Sequence, residues 1–386
     1  MTRAPVTSHG RRSGRTAEQA NAFVPDALTP APKRRPGRVV DIHCHWFPEA
    51  LIRLLGRDGP RHGIEVNALP SGDRGLRFIR WFHPPLHPFV DVEHRLAYMD
   101  RVGVDTHVLT LSGQVTPIWV EPGFGLAMAQ VANDEYAALQ VKHPDRFVGT
   151  AAVPLQDPKR AIEELDRAVR VKGLRGVNLL ANVQGRYLDA PEFLPFFEHV
   201  QGLEIPVLVH PTDPGGAAAA DEHALFAHVG YPLDTTVAIA RSIFSGLFER
   251  FPRIAWIFYH GGGAAPYLRS RWDQGFRNNF PEAPALTRLP SEYVASLYFD
   301  TPVYDAETLG FLVSVTGADH VLLGTDYPYA LMADADPVGT VRKIPRLKAA
   351  DRAKILGGNA ARLFGLMGQP GRRQSQPRAH GHDRRA

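Results

Sequence analysis

The stretch 39–48, Val-Val-Asp-Ile-His-Cys-His-Trp-Phe-Pro, decides how the rest of the chain is read. Its apolar start, closed by Trp46-Phe47-Pro48, predicts a short buried strand. Side chains alternate along a strand, so His43 and His45 project to one face while Cys44 points to the other. Two imidazoles side by side at the carboxyl end of a strand form half of a divalent metal site. His-x-His pairs also occur by chance on surfaces, and what the other strand ends carry decides between the two.

Seven further apolar, β-branched runs follow, at 104–110, 147–153, 174–180, 205–210, 254–260, 295–301 and 320–326. Amphipathic stretches near 91–102, 124–143, 157–172, 191–202, 234–251, 264–279, 304–316 and 347–364 lie between and after them. Gly103, Gly173, Gly202 and Gly317 are placed to cap helices in the left-handed conformation. Strands that are apolar throughout and alternate with helices predict a parallel sheet covered by helices, an α/β fold. Eight such units predict a (β/α)8 TIM barrel, and no Gly-x-Gly-x-x-Gly follows the first strand to favour a doubly wound sheet. Residues 48–90 break the alternation. Their Gly-, Pro- and aromatic-rich turns around candidate strands 63–69 and 75–82 predict a β-hairpin insertion at the barrel mouth.

The 386 residues are 44% hydrophobic and 22% charged, the balance of a globular protein with a large core. The net charge of +4 resides in the ends. Residues 1–38 carry a net +6 and residues 368–386 a net +4, leaving −6 on the body. Both ends are rich in Pro, Gly, Ser and Gln, so 1–37 and 368–386 are expected to be disordered basic tails around a barrel spanning 38–367. An acidic body argues against nucleic acid as the main partner. No apolar run has the length of a membrane span or a secretory signal, and the single cysteine excludes an internal disulfide, so a cytoplasmic protein is expected.

In a barrel of this type the chemistry sits at the carboxyl ends of the strands. Those ends carry His43 and His45 on the first strand, His210 on the fifth, His260 on the sixth and Asp326 on the eighth. Any one of them could be a satisfied core histidine or a turn former. Five ionisable groups ending four strands of one barrel point instead to a metal site of neutral imidazoles and a carboxylate, with a position left for water or substrate.

With these residues in view the chain resembles the amidohydrolase superfamily, in particular the metal-dependent decarboxylase branch that includes aminocarboxymuconate-semialdehyde decarboxylase. The matching pieces are Asp41-Ile42-His43-Cys44-His45, Val209-His210-Pro211, Phe251-Pro252 leading to His260-Gly261-Gly262-Gly263, Leu323-Gly324-Thr325-Asp326-Tyr327-Pro328, and Asn359-Ala360. The resemblance implies one divalent metal, zinc by preference with manganese or iron as alternatives, held by His43, His45, His210 and Asp326. It implies that His260 is a catalytic acid/base beside the ion, with Asp326 also catalytic. The fourth strand carries Asn178 and Leu180 and no lysine, which argues against a carbamate-bridged pair of metals. Arg80 in the insertion matches a carboxylate-binding and catalytic arginine. Arg271, eleven residues after His260, matches a substrate-binding arginine that reaches across a homodimer. Thr212 stands where an aromatic residue often follows His-Pro.

The resulting expectation is decarboxylation, without an organic cofactor, of a small unsaturated or aromatic carboxylic acid with more than one carboxylate. The alternative is a metal-dependent hydrolase or hydratase of the same superfamily, acting on a lactone, ester, amide or activated double bond. Fold and ligands are shared by both chemistries, and substrate contacts separate them.

Overall fold

The computed structural model describes residues 37–79, 81–83, 85–212, 223–278, 286–329 and 336–366. The segments expected to be disordered tails lie, apart from residue 37, outside the described residues, and so does Arg80.

Among the described residues, eight short parallel strands carry the fold. They are β1 Val40–His45, β2 Thr106–Thr110, β3 Phe147–Gly149, β4 Val177–Leu180, β5 Val207–His210, β6 Trp256–Phe258, β7 Tyr298–Asp300 and β8 Val321–Leu322. Each falls inside a run read from the sequence. β1–β2–β3 pair in one sheet and β4–β5–β6–β7–β8 in another. Two seams join them. Ala151, just past β3, bridges Val177, its N–H donating to the Gly176 carbonyl and its carbonyl accepting from Asn178. On the other side the N–H groups of Ile42, Asp326 and His45 donate to the carbonyls of Leu323, His43 and Tyr327 at 2.9, 2.8 and 2.7 Å. The sheet therefore closes on itself as a parallel barrel.

Val40, Ile42, Val108, Val148, Leu208, Ile257 and Leu322 fill the lumen, with Ala360 and Phe364 of the last helical segment packed against them. A second, larger apolar layer contains the outward-facing Cys44, Leu109, Val209, Phe258 and Phe299 and packs them against the helices. β1 contains one extra residue. Asp41 pairs with His107 but Cys44 with Leu109, so three steps on β1 match two on β2. This bulge resets the alternation. Val40 and Ile42 face the lumen below it, His43 and His45 converge above it, and Cys44 packs outward as the sequence predicts.

The insertion differs from the expected hairpin. It opens with a helix, Glu49–Asp58, whose Leu51, Ile52, Leu54 and Leu55 are buried. Three antiparallel strands follow, Ile64–Ala68, Arg74–Phe78 and Trp81–His83. The single arm expected over 75–82 breaks at Ile79, whose φ of 57° lies in the left-handed region and cannot continue a strand. The chain reverses there, Trp81 pairs with Phe78, and His83 comes to lie opposite Leu76. A smaller correction concerns Gly202. It lies inside the helix Leu194–Leu203, and Glu204, at φ 54°, takes the left-handed cap. No described helix is long and apolar enough to cross a membrane.

Asn359 ties the C-terminal helical segment to the barrel. Its buried amide donates to the carbonyls of Ala318 and Val321 at 2.7 and 2.8 Å, just before and within β8. Asn359→Ala orphans both acceptors and should cost about 1–3 kcal/mol. The expected result is a lower denaturant midpoint with an unchanged m-value; an unaltered midpoint would show that the tie is not needed.

Candidate functional site

The five groups named from the sequence do meet. The rings of His43, His45 and His210 stand edge to face, with centroids 5.1 Å apart for His43–His45, 5.3 Å for His43–His210 and 5.1 Å for His45–His210. Asp326 reaches into this cluster from the segment after β8, its Oδ1 lying 3.2 Å from His43 Nε2 and 3.1 Å from His45 Nε2. One ligand atom from each of His43, His45, His210 and Asp326 lies within 4.8 Å of the others, and all four residues are buried. His260 stands beside this group, its Nε2 3.7 Å from Asp326 Oδ2 and its ring 5.0 Å from that of His43.

The donor set fits a cation. Asp300 Oδ2 lies 2.6 Å from His43 Nδ1, so that nitrogen carries the proton and donates. The Thr110 hydroxyl spends its own proton on the Cys44 carbonyl and therefore accepts from His45 Nδ1 at 3.2 Å. His210 Nδ1 donates to the Pro211 carbonyl. With every Nδ1 occupied, the three Nε2 lone pairs are left toward the centre. His43 Nε2 is buried without a hydrogen-bond partner. Lone pairs packed this close to a carboxylate repel one another unless a positive charge sits between them.

The protonation preferences tell the same story. Burial disfavours charge on His43, yet Asp326 and Asp300 beside it push the imidazole up to about 10. Burial, against the pull of Asp326, lowers His45 to about 4, and burial with His45 and His43 nearby sends His210 well below its usual range. Burial works against ionised Asp326, but the positive charge that His43 attracts and the nearby rings of His260 and His45 hold it well below the usual carboxylate range. One carboxylate and one positive charge is the stable arrangement here, and a divalent ion meets it better than a proton.

Local backbone shape serves the cluster. Asp326 and His260 have φ of 60° and 55°, the left-handed region, which side chains adopt only where the surroundings hold them. A Cβ on Gly113 would sit 2.6 Å from His210 Nδ1 and from the Pro211 carbonyl, so only glycine lets the loop after β2 pass this close to the ring.

Several contributors escaped the sequence reading. Asp300, at the end of β7, accepts from His43 Nδ1 with one oxygen and from the Gly261 N–H at 2.9 Å with the other, fixing a candidate ligand and the turn that bears His260. A carboxylate ending a predicted strand was the available signal. Tyr259 stacks on His43 at 3.8 Å and donates to the Ile42 carbonyl at 2.7 Å, which closes the cluster from below. Asp41, read only as part of a motif, accepts from His43 N and from both Thr325 N and Oγ1. Arg271 is exposed on the helix Ala265–Arg277 and is not among the groups brought together. Arg80 lies outside the described residues.

The amidohydrolase family model matches residues 40–366, the whole of the barrel, and the chain belongs to that family. It is 34% identical over 330 residues to the 2-amino-3-carboxymuconate-6-semialdehyde decarboxylase of Dictyostelium discoideum, covering 85% of this chain and 91% of that protein. The crystal structure of 5-carboxyvanillate decarboxylase from Sphingomonas paucimobilis superimposes with a TM-score of 0.74 at 28% identity, over 85% of this chain and 99% of that one. A dihydroxybenzoic acid decarboxylase from Polaromonas sp. JS666, solved with manganese and 2-nitroresorcinol, matches with a TM-score of 0.69 at 27% identity, over 86% and 98% of the two chains.

Purified protein should contain one divalent ion per chain, and His210→Ala should lower that occupancy in elemental analysis. Metal-free protein whose activity ignores chelators would exclude the site. Asp300→Asn leaves the ligands in place but weakens the anchor of His43. Metal affinity, measured by competition with a chelator, should fall about 10–100-fold; unchanged affinity would assign Asp300 to the His260 turn alone.

Proposed function

We propose that this member of the amidohydrolase family is a metal-dependent decarboxylase, requiring no organic cofactor, of a small unsaturated or aromatic carboxylic acid. The observation that carries the reading is the buried convergence of His43, His45, His210 and Asp326 with His260 against the same carboxylate. Decarboxylases of such acids among its relatives and structural neighbours support it.

The four converging residues are the proposed ligands, with zinc as the ion that the three imidazoles and one carboxylate favour. An ion held there supplies a Lewis acid for substrate oxygens. The protein has to deliver a proton to the carbon that loses its carboxylate, because breaking the C–C bond leaves the electron pair on that carbon. His260 is the group assigned to this transfer. Its Nδ1 is buried without a hydrogen-bond partner, its Nε2 is held toward Asp326, and its ring lies parallel to Tyr231 at 6.4 Å. The glycine run 261–263 after it is packed too closely for side chains, since a Cβ at these positions would lie 2.5 Å from Val303, 2.3 Å from the Phe299 ring and 2.1 Å from the Pro232 carbonyl.

Arg80 is assigned to the substrate carboxylate as a charge-assisted pair on the strength of its place in the insertion sequence. Arg271 is assigned to the same task from a second copy of the chain. Its helix carries Tyr267, 77% exposed, and packs beside the helix Tyr231–Phe244, where Leu233 and Val237 are 49% and 41% exposed. An apolar surface of this kind around an arginine suits a homodimer interface. A monomer in sedimentation that retains full activity would remove Arg271 from the site. A cytoplasmic location is proposed on the same grounds as before, the lone, buried cysteine foremost.

His260→Ala should keep its metal and lose turnover by a factor of about 10²–10⁴, read as CO₂ released from an acid substrate. Loss of the metal in this variant would make His260 a ligand. Turnover of esters or amides with no CO₂ from any acid would replace decarboxylation by hydrolysis.

A further inference from the structure

His43 and His45 have their Nδ1 atoms fixed by other side chains, whereas His210 relies on its own main chain, its Nδ1 donating to the carbonyl of Pro211. Whatever orients that carbonyl therefore orients the ring. The peptide that carries it is planar, so the Pro211 C=O and the Thr212 N–H turn together. The His210 carbonyl is held by the Ala181 N–H at 2.8 Å, and the proline ring fixes φ of residue 211. The torsion left to turn the 211–212 peptide is ψ of Pro211. The Thr212 N–H settles it by donating to Asp234 Oδ2 at 2.9 Å.

Asp234 lies in the first turn of the helix Tyr231–Phe244 and is 0% exposed. It is also held by the hairpin after β4, in which Asn182–Val183 pairs with Arg186–Tyr187. Asn182 Nδ2 lies 3.0 and 3.2 Å from its two oxygens, and Tyr187 Oη lies 2.9 Å from Oδ1. Asn182 Oδ1 accepts from the Gly185 N–H at 2.8 Å, which turns the amide so that its NH₂ faces Asp234. A main-chain N–H and an amide NH₂ can only donate, so both oxygens face donors and the ionised carboxylate is the form that fits. Burial pushes this carboxyl up from its ordinary value, against the hydrogen bonds from Thr212, Tyr187 and Asn182. All three partners are neutral, so the negative charge acts along its hydrogen bonds.

A carboxylate on the Thr212 N–H makes a charge-assisted bond and polarises the peptide, which turns the Pro211 carbonyl into a stronger acceptor for the imidazole proton. A stronger acceptor on Nδ1–H raises the basicity of Nε2, the atom left to bind an ion. Little water screens the path, because His210 is 4% and Thr212 1% exposed and the loop after β2 covers the carbonyl at Gly113.

We propose that Asp234 is a positioning residue of the metal centre, setting the orientation and the basicity of His210 through the Pro211–Thr212 peptide. The inference rests on the metal site beneath the proposed decarboxylation and deepens it. It gives each of the three imidazoles a distinct support: a carboxylate for His43, a hydroxyl for His45, and a carboxylate acting through one peptide for His210.

The test uses the full chain, stripped of metal and reloaded with Zn²⁺ or Co²⁺, with affinity read by competition with a chelator. Asp234→Asn keeps the shape and removes the charge, and Zn²⁺ affinity should fall about tenfold, the low end for a group supporting a ligating histidine. Asp234→Ser, a second neutral variant, should do the same and carries the test if the asparagine form does not fold. Tyr187→Phe removes a bond to Asp234 but spares the one from Thr212. It should lower the denaturant midpoint of the metal-free protein and leave Zn²⁺ affinity within about twofold. In the Co²⁺-loaded protein the paramagnetic ion shifts the N–H protons of its ligating imidazoles clear of the other NMR signals. Asp234→Asn should move one such signal, the one that His210→Ala deletes, and leave those of His43 and His45 in place. Neutral variants that bind Zn²⁺ like the wild type, or that move all the shifted signals together, reduce Asp234 to a tie between hairpin and helix and overturn the inference. Release of CO₂ plays no part in these readings, so decarboxylation can fail while Asp234 keeps its role. A wild-type chain that binds neither ion removes the metal site and this inference together.

Discussion

The seam between the first and last barrel strands depends on one buried carboxylate, Asp41. It accepts from His43 N at 2.9 Å, from Thr325 N at 3.1 Å and from Thr325 Oγ1 at 2.6 Å, so β1 and the segment after β8 are held by the same two oxygens. Two metal-ligand candidates on β1 and a third after β8 take their relative positions from it. Burial raises this carboxyl to about 7 against those hydrogen bonds. The charge balance continues outward through His107, whose Nε2 lies 3.3 Å from Asp41 Oδ2 and whose Nδ1 faces Arg95 at 3.2 Å. Arg95 is fully buried, donates to the His45 carbonyl and lies over the Tyr327 ring. A cation, a neutral imidazole and an anion in series let two charges remain inside the protein without touching, each hydrogen-bonded.

The interior of the site repeats the theme with the opposite outcome. Asp300 and Asp326 face His43 from two sides, and both are buried. Behind β1 an arginine supplies the missing positive charge. In front of it the described side chains offer only imidazoles, of which His45 and His210 resist protonation. Nitrogen lone pairs are the better use of those rings, and the carboxylates that fix their Nδ1 protons or share their centre make the site one for a cation. The same arrangement orders the reaction. His260 is tied to Asp326 and, through the Gly261 turn, to Asp300, so the proposed proton carrier and the candidate ligands are built on common carboxylates.

Family membership sets the chemistry's range but not its target. Relatives in the comparison act on an open-chain amino-carboxymuconate and on aromatic acids, with the same barrel beneath. What differs between such enzymes must lie in the loops past the strand ends, where this chain has its insertion sheet and the tyrosines after β5 and β8.

The sequence by itself determined the barrel and the candidate ligands, because both are carried by short-range patterns. Eight apolar runs separated by amphipathic stretches leave little choice of architecture; His43 and His45 close the first of those runs, and His210, His260 and Asp326 each end another. Tertiary structure alone decided what depends on backbone geometry or on partners distant in the chain. The β1 bulge places Ile42 and His43 inward together, which a strict alternation excludes. The reversal at Ile79 makes three strands of an expected two because a single left-handed residue, invisible in composition, turns the chain back. Asp300 lies 257 residues from the His43 it orients, and His83 lies 246 from Tyr329. Periodicity reports which face a residue occupies, but only closure of the barrel brings residues from different strand ends within hydrogen-bonding distance.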